Sequence, residues 1–70
     1  MTSTSESKPI TLLLVDDHEV LRIGLRTLFT EAGHFQVVGE AGTMAAAVAD
    51  ALRLNPNVIL MDVRLPVSYT

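Results

Sequence analysis

Two apolar runs in this sequence each end in carboxylates, and this pattern restricts the possible fold more than any other feature. The first run, Ile10–Val15, is followed by Asp16 and Asp17, and the second run, Val58–Met61, is followed by Asp62. Nearly continuous aliphatic runs of this kind are typical of strands that are buried on both faces of a parallel sheet. Because ligands bind at the carboxyl edge of such sheets, we expect the three acids to meet at one binding edge.

Three carboxylates at one edge repel each other, and a hard, oxygen-binding cation such as Mg²⁺ relieves that repulsion. The alternative is that Asp16 and Asp17 only form a turn and cap a helix, since aspartate is common in both places. Asp62 weakens this alternative because no helix is predicted directly after it. A bound divalent cation would neutralise an incoming phosphoryl group, which a carboxylate oxygen would then attack. Asp62 is the better candidate nucleophile, because the adjacent pair is better placed to hold the metal.

The residues between the two runs predict a helix, a strand and a second helix. Apolar residues at helical spacing predict the first helix over Glu19–Ala32, with Asp17 as its N-cap and Gly33 as a left-handed C-cap. Its inward face is predicted to carry Leu21, Leu25, Leu28 and Ala32, and its polar stripe to carry Arg22, Arg26 and Thr30. A short strand over Phe35–Gly39 and a connection over residues 40–42 follow.

The second helix is predicted over Met44–Leu54, with Thr43 as its cap. Its predicted inward residues are Val48, Ala51 and Leu52. The segment Asn55–Asn57 ends this helix, because its central proline disfavours helix in the preceding residue, and a third strand is predicted over Val58–Asp62. The order β-α-β-α-β predicts an α/β fold with a parallel sheet between two helical layers. Crossovers of this kind are right-handed, so one helix lies on each face if the strand order reverses.

Size and composition narrow the class of protein. The chain has 70 residues, enough for one small domain, and its core must be aliphatic because aromatic residues make up only 4%. It has no cysteine, which excludes disulfides and thiolate zinc sites and favours a cytoplasmic location. The five basic residues are scattered at a net charge of −3, unlike a nucleic-acid-binding surface. No apolar run approaches the ~20 residues that span a bilayer, and residues 1–9 predict a disordered polar tail rather than a signal peptide.

Three motifs, in this order and spacing, resemble a receiver domain, the CheY-like phosphoacceptor module of bacterial two-component response regulators. The motifs are Leu13-Leu14-Val15-Asp16-Asp17-His18, Val37-Val38-Gly39-Glu40-Ala41 and Val58-Ile59-Leu60-Met61-Asp62-Val63-Arg64-Leu65-Pro66. The resemblance covers residues 10–66. The Asp-Asp-His start and the Gly-Glu-Ala sequence most resemble the NarL/FixJ-like branch, whose members usually carry a C-terminal LuxR-type DNA-binding domain. The resemblance implies a flavodoxin-like fold and phosphorylation by a sensor histidine kinase.

The resemblance also implies a role for each acid. Asp62 is implied to be the phosphoacceptor, Asp17 to ligate Mg²⁺ directly, and Asp16 to assist through water. The backbone carbonyl of Arg64 is implied to complete the protein's share of the metal coordination, to which Asp62 also contributes. His18 receives no catalytic role and is interpreted as an exposed loop residue or the start of a helix. A receiver module promotes its own phosphorylation, so no independent enzymatic activity is expected.

The sequence departs from the family pattern after Pro66. A receiver domain has five strands, whereas three are predicted here, and Val67–Thr70 stand where the family usually has a glycine-containing turn. The hydroxyl residue after the fourth strand and the lysine after the fifth have no counterpart, and Lys8 in the tail cannot be assumed to replace that lysine. These departures predict a truncated receiver with impaired phosphorylation, in which residues 67–70 form a non-family end.

An unprotected third strand leads to a second functional hypothesis. Exposed apolar edges pair with other chains, so we expect this chain to be poorly folded alone, or to fold as an oligomer or with a complementing fragment. The alternative function is therefore an unphosphorylated interaction fragment that binds or competes with an intact response regulator, or with itself. A small metal-dependent hydrolase would use the same acids, but the sequence lacks a separate general base. Neither a nucleic acid nor a membrane is a predicted partner.

Overall fold

Five elements follow one another in the predicted order. The structure is a computed structural model that describes residues 8–62. Its elements are β1 (Ile10–Val15), α1 (Glu19–Ala32), β2 (Phe35–Ala41), α2 (Met44–Leu54) and β3 (Val58–Met61). The predictions for residues 1–7 and 63–70, including those for the Arg64 carbonyl and for Val67–Thr70, lie outside the described residues. The predicted β-α-β-α-β order is confirmed.

Two strands end at different residues from those predicted. β2 continues through Glu40 and Ala41, which the sequence pattern assigned to a connection, because these residues pair with Leu14 and Val15 of β1. β3 ends at Met61, one residue before the predicted end. The longer β2 gives β1 a pairing partner along its whole length.

All three strands are parallel, and β1 lies at the centre of the sheet in the order β2-β1-β3. The crossover from β1 to β2 and the crossover from β2 to β3 therefore run in opposite directions across the sheet, and the strand order reverses at β1. Between Leu12 and Leu13 the register with β2 shifts, which leaves Val38 as an extra residue in β2. In open α/β sheets, ligands bind outside the carboxyl ends of the strands at such a reversal.

The two helices cover opposite faces of the sheet, as right-handed crossovers predict. Leu13 and Val15 of β1 pack with Ala47 of α2 in the buried core cluster. Alternate side chains of a strand point to opposite faces, and Leu14 accordingly lines a cavity with Leu21 and Leu25 of α1. The predicted arrangement of a parallel sheet between two helical layers is thus confirmed.

α2 packs on the sheet along a face that matches the predicted inward face only in part. Ala47 is buried, whereas Val48 and Leu52 are 54% and 81% exposed. The helix lies so close to β2 that a Cβ added to Gly39 would be 2.6 Å from Leu54 Cδ1. Leu54 therefore faces the sheet, and Met44 and Ala51 pack against the core cluster, which confirms Ala51 of the predicted inward face.

α1 begins and ends where the sequence predicts, but its start is capped differently. His18 is the N-cap residue and its side chain makes no capping hydrogen bond, so the prediction of Asp17 as the N-cap is wrong. At the other end Gly33 has φ 83°, a left-handed conformation that favours glycine, and its N–H donates to the Thr30 carbonyl. The predicted C-cap is confirmed.

α1 turns only part of its predicted leucine face toward the sheet, since Leu25 is partly buried and lines the cavity together with Leu21. No residue of α1 is buried, and Leu21 and Leu28 are 43% and 61% exposed. The helix also contacts β2 through Phe29, whose ring meets that of Phe35 edge-on, with 4.9 Å between the ring centroids. Neither helix of the described residues is long and apolar enough to cross a membrane.

β3 is an exposed edge strand, as the sequence predicts. Its four apolar side chains, Val58–Met61, are 39–44% exposed, and among the described strands it pairs with β1 alone. Its start is fastened to β1 by Asn57, whose Oδ1 accepts from the N–H and the hydroxyl of Thr11 at 2.9 Å each. The Asn57 N–H donates in return to Thr11 Oγ1 at 2.8 Å. These bonds set the register of β3 against β1.

Candidate metal centre

Backbone hydrogen bonds continue past the carboxyl ends of the strands and hold two of the acids side by side. The Asp16 N–H donates to the Ala41 carbonyl at 3.0 Å, and the Asp62 N–H donates to the Val15 carbonyl at 3.0 Å. Asp16 is therefore tied to β2, and Asp62 is tied to β1. Both acids stand at the point where the strand order reverses.

Asp16, Asp17 and Asp62 come together at this edge, as the sequence predicts. Each of them, together with His18, offers one potential ligand atom, and these atoms all lie within 4.8 Å of one another. The Asp16 side chain is 7% exposed, the Asp17 side chain is 43% exposed, and Asp62 is partly buried. Two unit charges 4 Å apart near a protein surface interact by about 4 kcal/mol. A cation bound among the carboxylates would convert this repulsion into attraction.

His18 lies inside the cluster, although the sequence predicts no role for it. Its Nδ1 is 2.9 Å from Asp16 Oδ1 and 2.9 Å from Asp17 Oδ1. Its backbone N–H also donates to Asp16 Oδ1 at 2.8 Å, which closes an aspartate turn just before α1. This turn explains why the aspartates do not cap the helix. The only signal in the sequence was the position of the histidine beside the acidic pair.

Arg22 also reaches the cluster, a contact that the sequence pattern did not predict. Its Nη1 donates to the backbone carbonyl of Asp16, and its Nε lies 3.4 Å from Glu40 Oε1. Arg26, one turn further along α1, donates from Nη1 to Glu40 Oε2 at 2.7 Å. The predicted polar stripe of α1 therefore faces the end of β2 rather than solvent at these two positions. Two arginines four residues apart, with a glutamate at the end of the next strand, were the available signal.

An apolar cavity of about 260 Å³ adjoins the acids. Asp16 and Asp62 lie in its lining, and the other lining residues are Leu14, Val15, Leu21, Leu25, Leu60 and Met61. Walls of low dielectric concentrate the field of nearby charges. The aliphatic lining therefore strengthens the attraction of this edge for a cation.

The ligand atoms fit a small, hard cation. Mg²⁺ takes octahedral oxygen ligands at 2.0–2.1 Å and keeps several waters, so opposite oxygens stand about 4.2 Å apart. A cluster whose ligand atoms lie within 4.8 Å of one another suits an ion that some carboxylates bind directly and others bind through water. The carboxylates of Asp16, Asp17 and Asp62 supply that oxygen set.

Comparison with known proteins identifies the family. The family model for the response regulator receiver domain matches residues 12–68. The chain is 40% identical over 62 residues to the nitrate/nitrite response regulator protein NarL of Escherichia coli K12, covering 89% of this chain and 29% of NarL. It is 47% identical over 57 residues to the DNA-binding transcriptional activator DevR/DosR of Mycobacterium tuberculosis H37Rv, covering 81% of this chain and 26% of that protein. The chain thus spans less than a third of these relatives.

Solved structures show the same fold. The isolated receiver domain of RcsB from Salmonella enterica serovar Typhimurium, solved with the phosphomimetic BeF3⁻, superposes with a TM-score of 0.81 at 22% identity, covering 89% of this chain and 45% of that one. Promoter-bound RcsB gives a TM-score of 0.80 at 23% identity, covering 87% and 30%. At these identities the similarity establishes the fold alone. Because the receiver model matches most of the sequence and its relatives are NarL/FixJ-type regulators, the chain belongs to the response regulator receiver domain family, in the NarL/FixJ-type branch.

Proposed function

We propose that this chain is a phosphoacceptor module of a two-component phosphorelay, in which Asp62 accepts a phosphoryl group from a sensor histidine kinase. The observation that carries the proposal is the grouping of Asp62 with the Asp16–Asp17 pair, with ligand atoms within 4.8 Å, where the strand order reverses. Asp62 stands on a different strand from the pair, so it is the acid that remains available for attack when the pair holds a cation. The module promotes its own modification and is not a classical enzyme.

The resemblance to receiver domains supports a separate role for each of the three acids. Asp17, with its side chain 43% exposed, would bind Mg²⁺ directly, and Asp16, with its side chain 7% exposed, would assist through water. Asp62 and the backbone carbonyl of Arg64 would complete the protein ligands. When bound, Mg²⁺ neutralises charge on the phosphoryl oxygens.

The transfer itself requires one nucleophilic carboxylate oxygen. An Asp62 oxygen would attack the phosphorus of a phosphohistidine in line, forming a P–O bond as the P–N bond breaks. The departing imidazole nitrogen would take a proton, and the product on this chain would be an aspartyl phosphate. The backbone hydrogen bond from Asp62 to Val15 supports this step, because it holds Asp62 beside the acidic pair.

Incubation of the chain with Mg²⁺ and acetyl phosphate, followed by intact-mass measurement, tests this assignment. We expect one added phosphoryl group on the wild-type chain and none on Asp62→Asn. Asp50→Asn is the matched control, because Asp50 is a partly exposed aspartate of α2 that pairs with Arg53 away from the cluster. Modification that persists in Asp62→Asn would exclude Asp62 as the acceptor.

BeF3⁻ provides a second probe of the same site. RcsB was solved in the presence of this phosphomimetic, and a receiver site in the present chain should bind it only together with Mg²⁺. Fluorine NMR should show a bound signal that disappears in Asp62→Asn. A bound signal without Mg²⁺ would contradict a metal-dependent site.

The exposure of β3 favours a second candidate function, an unphosphorylated fragment that binds an intact response regulator or another copy of itself. All four side chains of β3 are 39–44% exposed, and none of the other described strands pairs with its outer edge. Analytical ultracentrifugation with a purified full-length response regulator should then detect a complex that Asp62→Ala leaves unchanged. Ile59→Lys, which places a charge on the edge strand, should abolish it. A complex that needs Asp62 would argue against this function.

A further inference from the structure

We infer that Arg22 is a positioning residue of the metal centre: it fixes the peptide of Asp16 and thereby sets the geometry in which the acidic pair meets a divalent cation. This inference rests on the proposed metal-binding function. It concerns a residue of α1 that contributes no ligand atom to the cluster, and it assigns supporting roles to Glu40 and Gly42.

The backbone of Asp16 is held from two directions. Its N–H donates to the Ala41 carbonyl of β2, and its carbonyl accepts from Arg22 Nη1 on α1. Its carboxylate Oδ1 accepts from the His18 N–H, which closes the turn. Asp17 follows directly, so the direction of its side chain depends on the same peptide. Without Arg22, the carbonyl at the start of the turn loses its contact with α1.

The guanidinium lies between the end of β1 and Glu40 of β2, with one hydrogen bond and one ion pair. Arg22 uses Nη1 for the Asp16 carbonyl while its Nε faces Glu40 Oε1 at 3.4 Å, so one planar group bridges β1 and β2. The side chains of Arg22 and Glu40 are only 19% and 23% exposed. A lysine offers a single nitrogen and cannot reproduce this fork.

Gly42 leaves the space that the guanidinium occupies. A Cβ added at this position would lie 2.9 Å from Arg22 Nη1, and the other nearby atoms are 3.9 Å or more away. The atom in the way is the end of a flexible side chain, so Gly42→Ala displaces the guanidinium at little cost to the fold. The glycine therefore offers a way to move Arg22 without removing its charge.

Glu40 offsets the positive charge of Arg22, which lies beside the proposed cation site. Its two oxygens face Arg22 and Arg26 respectively, at 3.4 Å and 2.7 Å. Arg26 thus shares the glutamate and the helix with Arg22 but has no contact with Asp16 among the described hydrogen bonds. This makes Arg26 a matched control, because its substitution removes an arginine and a Glu40 ion pair while it leaves the carbonyl contact in place.

The experiment is a titration of the full chain with Mn²⁺ alone, in which electron paramagnetic resonance counts the free ion. Outer-shell substitutions at metal sites typically lower affinity by about 10–100-fold. We expect the Kd for Mn²⁺ to be about tenfold higher in Arg22→Gln than in wild type. It should also be higher in Gly42→Ala, and in Arg22→Lys it should lie between the values for Arg22→Gln and wild type. Arg26→Gln should stay within about twofold of wild type. Circular dichroism at each titration temperature measures the folded fraction, so that affinities are compared only between folded samples.

The outcomes separate positioning from simple stabilisation. If Arg22→Gln and Gly42→Ala lower the Tm but bind Mn²⁺ as the wild type does, the inference is overturned. It is also overturned if Arg26→Gln weakens binding as much as Arg22→Gln, because the loss then reflects charge and not the carbonyl contact. If Arg22→Gln does not fold, Gly42→Ala decides the question by itself. A wild-type chain that binds no Mn²⁺ would overturn the metal-binding function first, and the inference with it.

Discussion

β1 and β3 both end at the acidic cluster, but the rest of the molecule holds these two strands very differently. Leu12–Val15 of β1 are 0–2% exposed and pair with strands on both sides, whereas Val58–Met61 of β3 are 39–44% exposed and pair with β1 alone among the described strands. Asp16 is thus attached to the best-packed strand and Asp62 to the least-packed one. The proposed ion would join a firmly held half of the centre to a half whose position depends on the docking of an edge strand.

The largest expected effect comes from a matched pair of leucines. Leu14 and Leu60 are register partners in neighbouring strands, and they are 1% and 39% exposed. Leu14→Ala should lower the free energy of unfolding by about 2–5 kcal/mol, the usual cost for a buried leucine. Leu60→Ala should cost less than about half of that, because folding removes less of the Leu60 side chain from water. Urea titrations of both variants measure the difference, and equal losses would show that β3 is as well packed as β1 in solution.

The second-largest effect on stability is expected from Mg²⁺, which should stabilise β3 more than β1. At Mg²⁺ concentrations 100 times the Kd, binding to the folded state alone adds about 2.7 kcal/mol. Because β3 is more exposed than β1 and pairs on one side among the described strands, we expect it to open more easily. Hydrogen exchange of the β3 amides should therefore slow more than that of the β1 amides bonded to β2. Asp17→Asn should remove the effect and Asp50→Asn should keep it. Equal slowing in both strands would contradict the division into two halves.

A smaller effect is expected where β3 is fastened to β1. Asn57→Ala removes the Oδ1 acceptor for the Thr11 N–H and hydroxyl, and the loss should be about 1 kcal/mol because these exposed groups can bind water instead. Asn57→Asp keeps the acceptor and is the control. Native-state hydrogen exchange should show the loss in β3 and not in β2. A loss spread over the whole sheet would mean that β3 does not open separately.

The smallest effect is expected for an apolar side chain that is exposed on a helix and not on an edge strand. Leu52 of α2 is 81% exposed, so Leu52→Ala should change the free energy of unfolding by less than about 0.5 kcal/mol. Thermal denaturation beside wild type measures this change. A loss as large as that of Leu60→Ala would show that another chain covers this face of α2.

The sequence was sufficient for placing the three acids at one edge of the sheet, because the signal for this edge is local. A run of aliphatic residues followed by an acid predicts both a buried strand and the edge where its carboxylate lies. Asp16 and Asp62, 46 residues apart in the sequence, are neighbours in the structure for this reason. The bounds of both helices were predictable in the same way, from spacing and from Gly33 and Asn55, which take left-handed conformations at their ends.

The contacts between elements were less predictable, because they depend on how each helix is rotated on the sheet. Helical spacing placed Leu52 inward and Arg22 outward, and both assignments were wrong. α2 meets β2 at Gly39 through Leu54, which was not among the residues predicted to face inward. α1 is rotated so that Arg26 pairs with Glu40 and the Phe29 ring contacts β2. Periodicity describes one helix at a time and carries no information about either constraint.

The shift in pairing between β1 and β2 has a consequence for the whole arginine–glutamate group. Phe35 meets α1, so under strict alternation Gly39 would also face α1 and Glu40 would face α2. The extra residue Val38 reverses this parity, so that Glu40 instead meets Arg22. If Val38 instead paired with Leu13 in a regular ladder, Glu40 would turn toward the α2 side and leave the Arg22 guanidinium without its counter-charge. Because Val38 stands outside the ladder, β2 can place Gly39 against the Leu54 side chain of α2 and the next residue, Glu40, against Arg22 of α1.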